Sequence, residues 1–282
     1  MASQTRPGSS ALKRAFVGRA KASSHLEHTL LPKILALPVF SSDPMSSVAY
    51  ATEEIMIVLL AASAAGKEFV FPIAIAIATL LAIVVVSYRQ TVRAYPNGGG
   101  AYIVSKENIG TGAGLVAAGA LLVDYVMTVV VSVVAGSLKK KSAAPGLVDS
   151  RVWMSVAFVI FITLANLRGV RESGTLFAIP TYGFIAIVLV MIGLGIVRCL
   201  GGCPAGEAVP PAPEVANTVQ AISLFVILHA FSSGSTALTG VEAISNGVPA
   251  FTEPAWKHAR QTLVIMGTGL GVMFLGISAL AA

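Results

Sequence analysis

Hydrophobic residues fall in seven runs, at about 36–62, 69–88, 111–136, 152–168, 175–198, 218–248 and 261–282. Short stretches marked by Pro, Gly or charge separate them: Lys67-Glu68, Tyr95-Pro-Asn-Gly-Gly-Gly, Arg168 to Arg171, and Cys203-Pro to Pro213. An apolar run of about 20 residues crosses a hydrocarbon core as a helix. An open sheet edge cannot be satisfied in lipid, so the pattern predicts an all-α transmembrane chain. Two runs, the first and the sixth, are longer than one crossing needs. Their surplus is hydroxyl, Gly and Pro, and both carry acids: Phe40-Ser-Ser-Asp43-Pro44-Met-Ser-Ser-Val-Ala-Tyr50 in one, Thr239-Gly240-Val-Glu242-Ala-Ile-Ser-Asn246-Gly247 in the other. Each is expected to be two half-helices joined by unwound backbone. Such backbone survives at membrane depth only where protein or a cavity surrounds it. A matched pair of interrupted helices points to a transport site between them.

Composition sharpens this reading. The chain is 55% hydrophobic and 11% charged, with mean hydropathy +0.82. Soluble domains carry about 25% charged residues. The net charge of +6 sits in loops and in a basic tail, residues 1–35, leaving residues 36–282 as the transmembrane domain. That distribution suits a membrane surface, and no stripe for nucleic acid is present. The tail has no apolar core, so no cleavable signal peptide is expected. With the N-terminus on the cytoplasmic side, 13 Lys and Arg fall inside and six outside, three of the six being Lys139-Lys-Lys141. Cys199 and Cys203 form a C-x-x-x-C in a Gly/Pro-rich loop; two free thiols are favoured over an external disulfide.

The candidate chemistry is oxygen-rich. Asp43 and Tyr50 are two helical turns apart, so they share a face if the helix is continuous; Pro44 argues against that continuity. A helix N-cap before Pro44 is an alternative, compatible role for this stretch. Asp124 lies near the centre of the third run, where a carboxyl costs at least about 2.5 kcal/mol unless it faces the bundle or a wet cavity. Thr128 follows one turn later on the same face; a structural hydrogen bond is the competing role. Thr239 and Glu242 are three apart at the second break. Three carboxyls with no basic partner inside the runs imply a cation from outside, and oxygen ligands suit hard ions. Close carboxyls cannot all ionise together, so one is expected to exchange protons.

Glycine-rich breaks that hold a substrate carboxylate use freed N–H groups. The first break, Asp43-Pro44-Met45, has no glycine, which argues against an amino acid substrate. Gly98-Gly-Gly100 reads as a cytoplasmic turn or hinge, with no phosphate-loop context. Gly110/Gly114 and Gly267/Gly271 read as helix packing, and His229 as structural ahead of a proton carrier. No Ser/His/Asp or metal-type His/Cys cluster appears, so no enzyme and no cofactor are expected.

The strings at 40–54, Tyr95-Pro-Asn-Gly-Gly-Gly-Ala-Tyr102, Leu164-Ala-Asn-Leu-Arg-Gly-Val-Arg-Glu-Ser-Gly174 and 239–247 resemble the amino acid–polyamine–organocation (APC) superfamily, specifically its KimA-type potassium uptake transporters. The resemblance covers nearly the whole chain after the tail. It implies a LeuT-like bundle of two inverted five-helix repeats with discontinuous helices 1 and 6. About seven of ten or more helices are present, the first repeat plus the start of the second. It also implies a multi-pass protein of the cell inner membrane and proton-coupled symport of potassium. A homodimer is implied, with a cytosolic C-terminal region that binds cyclic di-AMP in some members. Carried over by this resemblance, Asp43, Tyr50, Asp124, Thr128 and Thr239 are expected to coordinate potassium, and Glu242 to couple the proton. Pro44 departs from the small residue usual there, and Ser137 to Ser142 replaces an apolar continuation with the lysine run. The end at Ala282, inside an apolar run, reads as truncation. Rival readings are a proton-coupled permease for amino acids or an organic amine, and a non-transporting membrane fragment.

Overall fold

A computed structural model describes residues 30–143, 151–167, 170–202 and 222–282. The helices are α1 (Lys33–Ala62), α2 (Val70–Ala94), α3 (Gly100–Asn108), α4 (Thr111–Ala143), α5 (Arg151–Leu167), α6 (Val170–Leu200), α7 (Leu224–Gly234), α8 (Ala243–Asn246) and α9 (Ala255–Ala281). Tight 3₁₀ turns lie at Ala64–Phe69, Ser235–Leu238 and Val248–Ala250. No strand forms among the described residues; a single bridge joins Leu31 to Phe251. Five helices, α1, α2, α4, α6 and α9, are long and apolar enough to cross a membrane.

The first expected break is corrected. α1 is one helix of 30 residues with both Pro38 and Pro44 inside it. A proline removes one rung of the ladder and crowds the preceding turn, which in an isolated helix costs about 3 kcal/mol. Here the turn around Pro44 is held from outside: Pro38, Ser41, Pro44, Met45, Ser47 and Val48 are all buried. The hydroxyls that follow bond back to the Asp43 carbonyl, not to the Phe40 carbonyl that Pro44 leaves without its rung. Ser46 Oγ donates to the Asp43 carbonyl at 2.7 Å, and Ser47 Oγ reaches the same oxygen at 3.4 Å. Packing of a buried face outweighs the local propensity.

The second break is real. α7 stops at Gly234, the chain tightens through Ser235–Leu238, turns over 239–242, and resumes for one helical turn in α8. Gly240 sits at φ +79°, a left-handed conformation that disfavours any side chain. A Cβ there would also lie 2.6 Å from Asp43 Oδ2 and 2.8 Å from Pro44 Cδ. The break is therefore seated against the proline turn of α1.

α1 packs against α6, α7 and α9, and α2 lies against α9. Ile55, Leu59, Ile77, Leu263, Leu270 and Phe274 are fully buried between them. The outward apolar residues of α4 to α6, such as Val123, Val130, Ile187 and Val190, are exposed, as lipid-facing positions are. At one end, Leu31 N donates to the Ala250 carbonyl at 2.8 Å, and Thr252 N donates to the Leu31 carbonyl at 3.2 Å. The start of α1, the end of the broken segment and the start of α9 thus meet there. The α2–α3 loop joins them through Gly99 N, which donates to the Asn246 carbonyl at 3.4 Å.

Several finer expectations shift. α3 occupies a stretch read as loop. α2 runs to Ala94, and α9 begins at Ala255. The lysine run 139–141 continues α4 as helix to Ala143. Cys199 is disulfide-bonded, which corrects the free-thiol reading; Cys203, the other cysteine of the sequence, lies outside the described residues. Most of the tail and Arg168 lie outside them too.

Candidate cation site

Because α1 is unbroken, Asp43, Ser46, Ser47 and Tyr50 fall at i, i+3, i+4 and i+7 and line one face. Ser47 is the hub. Its Oγ lies 3.1 Å from Tyr50 Oη and 2.8 Å from Thr239 Oγ1 of the broken segment. Thr239 Oγ1 donates to the Thr236 carbonyl at 2.8 Å. Each hydroxyl has one proton, so a single ordering satisfies the row: Tyr50 donates to Ser47, Ser47 to Thr239, Thr239 to Thr236. The lone pairs left over are those a hard cation uses. The Asp43 carboxylate stands at one end of this row, against Gly240.

α4 supplies the second wall. Asp124 and Thr128 are both half-buried, one turn apart on a continuous helix. Asp124 lies within electrostatic range of both Asp43 and Glu242. The charges acting on Asp43 and Glu242 are acids, and no basic side chain acts on either among the described residues. Glu242 is 8% exposed. Among the described residues, its Oε1 and the Thr236 Oγ1 are buried with no hydrogen-bond partner. Buried polar atoms are nearly always satisfied, so these two oxygens mark unspent capacity beside the break. The three carboxylates do not converge into one shell: among the described residues no three His, Cys, Asp or Glu stand close enough to hold a metal ion together. A site of hydroxyls and single carboxylates fits a weakly bound monovalent ion better than a divalent one.

A cavity of about 410 Å³ opens beside this row, lined by Ser42, Ser46 and Tyr50 of α1, Ser132 of α4, and Phe177 and Thr181 of α6. Tyr50 thus belongs to both the hydroxyl row and the cavity wall.

The structure brings Asp43, Tyr50 and Thr239 together, sets Asp124 and Glu242 near them, and shows no contact that joins Thr128 to the row. His229 is exposed on α7, tilted against Phe225 at 6.2 Å, away from the row. Sequence reasoning missed Ser47, Tyr125 and Asn246. Ser47 was visible as the residue one turn beyond Asp43, but its partner lies 192 positions away. Asn246 Nδ2 donates to Tyr125 Oη at 2.6 Å, a pairing that nothing local announces.

Residues 36–282 match the family described as amino acid permease. The chain is 45% identical over 272 residues to the potassium transporter KimA of Bacillus subtilis (strain 168), covering 96% of this chain and 44% of that protein. It is 26% identical over 165 residues to the low-affinity putrescine importer PlaP of Escherichia coli (strain K12), covering 57% of this chain and 34% of that protein. The chain spans less than half the length of the curated relatives it matches.

Proposed function

This chain belongs to the amino acid permease family, and from that premise we propose that it forms the front part of a secondary transporter that imports potassium coupled to protons. The observation that carries the proposal is the oxygen row itself: Tyr50, Ser47 and Thr239 linked across the break, with the Asp43 carboxylate beside it and, among the described residues, no protein cation acting on that carboxylate. Anionic and hydroxyl oxygens without a cationic partner attract a cation and repel a carboxylate substrate. The similarity to a potassium transporter supports the same ion.

In this reading Asp43, Tyr50, Asp124, Thr128 and Thr239 coordinate potassium, and Glu242 exchanges the proton. The N-terminus is cytoplasmic. The disulfide at Cys199 supports that orientation, because it lies at the end of the bundle opposite Leu31, and disulfides persist on the oxidising side. A homodimer and a response to cyclic di-AMP are proposed only for a form that carries a cytosolic C-terminal region. A second reading, an organic-amine permease, is favoured by the similarity to a putrescine importer. The two share a cationic substrate. Uptake of radioactive rubidium into proteoliposomes, competed by potassium or by putrescine, decides between them. Competition by potassium at concentrations where putrescine has no effect is expected; the reverse order overturns the potassium assignment.

A further inference from the structure

Asn246 is the last residue of α8, one helical turn beyond Glu242. Its side-chain amide donates to Tyr125 Oη at 2.6 Å, and Tyr125 is the neighbour of Asp124 on α4. Its backbone carbonyl accepts from Gly99 N at 3.4 Å. The triple-glycine loop is shaped to this residue. Gly98 and Gly100 sit at φ +77° and +45°. A Cβ on Gly98 would come within 2.6 Å of the Asn246 carbonyl, and one on Gly100 would overlap the Asn246 side-chain oxygen. On the opposite side, a Cβ on Gly247 would run into the ring of Phe40, which stacks on Phe251 at 5.2 Å and 8°. Four separate elements therefore close on one short turn: α4, the α2–α3 loop, α1 and the strand-like stretch before α9. The loop, the start of α1 and the stretch before α9 meet at the end of the bundle where α1 begins, and Tyr125 reaches Asn246 from the middle of α4.

We propose that Asn246 is a positioning residue that latches the broken segment to α4 and the α2–α3 loop, holding the site closed toward that end. This rests on the transport reading above. Rocking one set of helices against another to expose a central site requires that contacts at one end part, and here they converge on one side chain. The amide is suited to the task because it offers a donor to Tyr125 and an oxygen toward the glycine loop at once. Asparagine in place of a carboxylate also keeps a fourth negative charge away from Asp43, Asp124 and Glu242.

The test uses a reporter next to the latch. Ser245 is 2% exposed and its hydroxyl donates to the Glu242 carbonyl at 2.8 Å; Ser245→Cys puts a near-isosteric thiol there. Maleimide labelling of this cysteine is measured in detergent, with and without saturating rubidium. Asn246→Ala and Tyr125→Phe are each expected to speed labelling roughly threefold to tenfold, the scale of one ordinary hydrogen bond. Tyr125 also hydrogen-bonds the Glu242 side chain, so the double variant should be no faster than Tyr125→Phe alone, and rubidium should slow labelling only where the latch is intact. A second reporter, Ser278→Cys in the buried face of α9 near its far end, should keep its slow rate in every variant. Unchanged labelling at position 245, multiplying effects in the double variant, or equal acceleration at position 278 would overturn the latch. Rubidium binding in the same preparations separates the two claims. Its absence from the parent protein overturns the transport reading, while the labelling ratios decide the latch by themselves.

Discussion

Gly240→Ala should weaken cation binding without removing any proposed ligand. Alanine at φ +79° costs about 1–2 kcal/mol in backbone energy alone. The added methyl would also sit 2.6 Å from Asp43 Oδ2 and 2.8 Å from Pro44 Cδ. Contacts that short force something to move. Pro44 is a rigid ring in a buried turn, so the Asp43 carboxylate is the group that shifts. A displacement costing about 1.4 kcal/mol of ligand energy is tenfold in affinity, and the expected loss in equilibrium rubidium binding is tenfold or more. Gly269→Ala on α9 is the control: nothing lies within 4 Å of its added methyl, and alanine gains up to about 1 kcal/mol of helix propensity there. A double-mutant cycle separates collision from general damage. In an Asp43→Ala background the carboxylate is gone, so the part of the thermal destabilisation due to the Asp43 collision should vanish, leaving the backbone part and the Pro44 contact. Wild-type rubidium affinity in Gly240→Ala, or a destabilisation unchanged by Asp43→Ala, would refute the seating of the break on Asp43.

Three further outcomes are expected. Asp124→Asn should abolish growth on limiting potassium while leaving membrane insertion intact, read by complementation alongside immunoblots of membranes; normal growth would remove Asp124 from the site. Glu242→Gln fixes that group neutral and should flatten the pH dependence of rubidium uptake while binding persists; an unchanged pH profile with normal uptake would make Glu242 a structural support for the turn. Impermeant labelling of single cysteines should place residue 140 and the N-terminal tail on opposite faces of the membrane, and labelling from one face would contradict the cytoplasmic N-terminus.

The sequence made the helical class and the second break legible, because hydroxyls, Gly234 and Gly240 interrupt an apolar run in which a side chain has no room. The first break misled. Proline chemistry is local, and local propensity alone argues for unwinding at Asp43-Pro44. The buried face of α1 keeps it helical, and that is a property of packing. That same continuity places Tyr50 on the face of Asp43. α3 escaped notice because its nine residues are too few and too polar to form an apolar run. The hydroxyl row and the Asn246–Tyr125 bond were invisible for a different reason. They join residues 192 and 121 positions apart, and only the fold brings such residues together.

The central claim is that the hydroxyl row and Asp43 hold a potassium ion. Equilibrium binding of rubidium to the purified protein, displaced by potassium, sodium or putrescine, tests it most directly when repeated with Asp43→Asn and Ser47→Ala. The account predicts saturable binding displaced by potassium ahead of sodium and putrescine, lost in Asp43→Asn and weakened several-fold in Ser47→Ala. Binding of equal strength in all three proteins would contradict it.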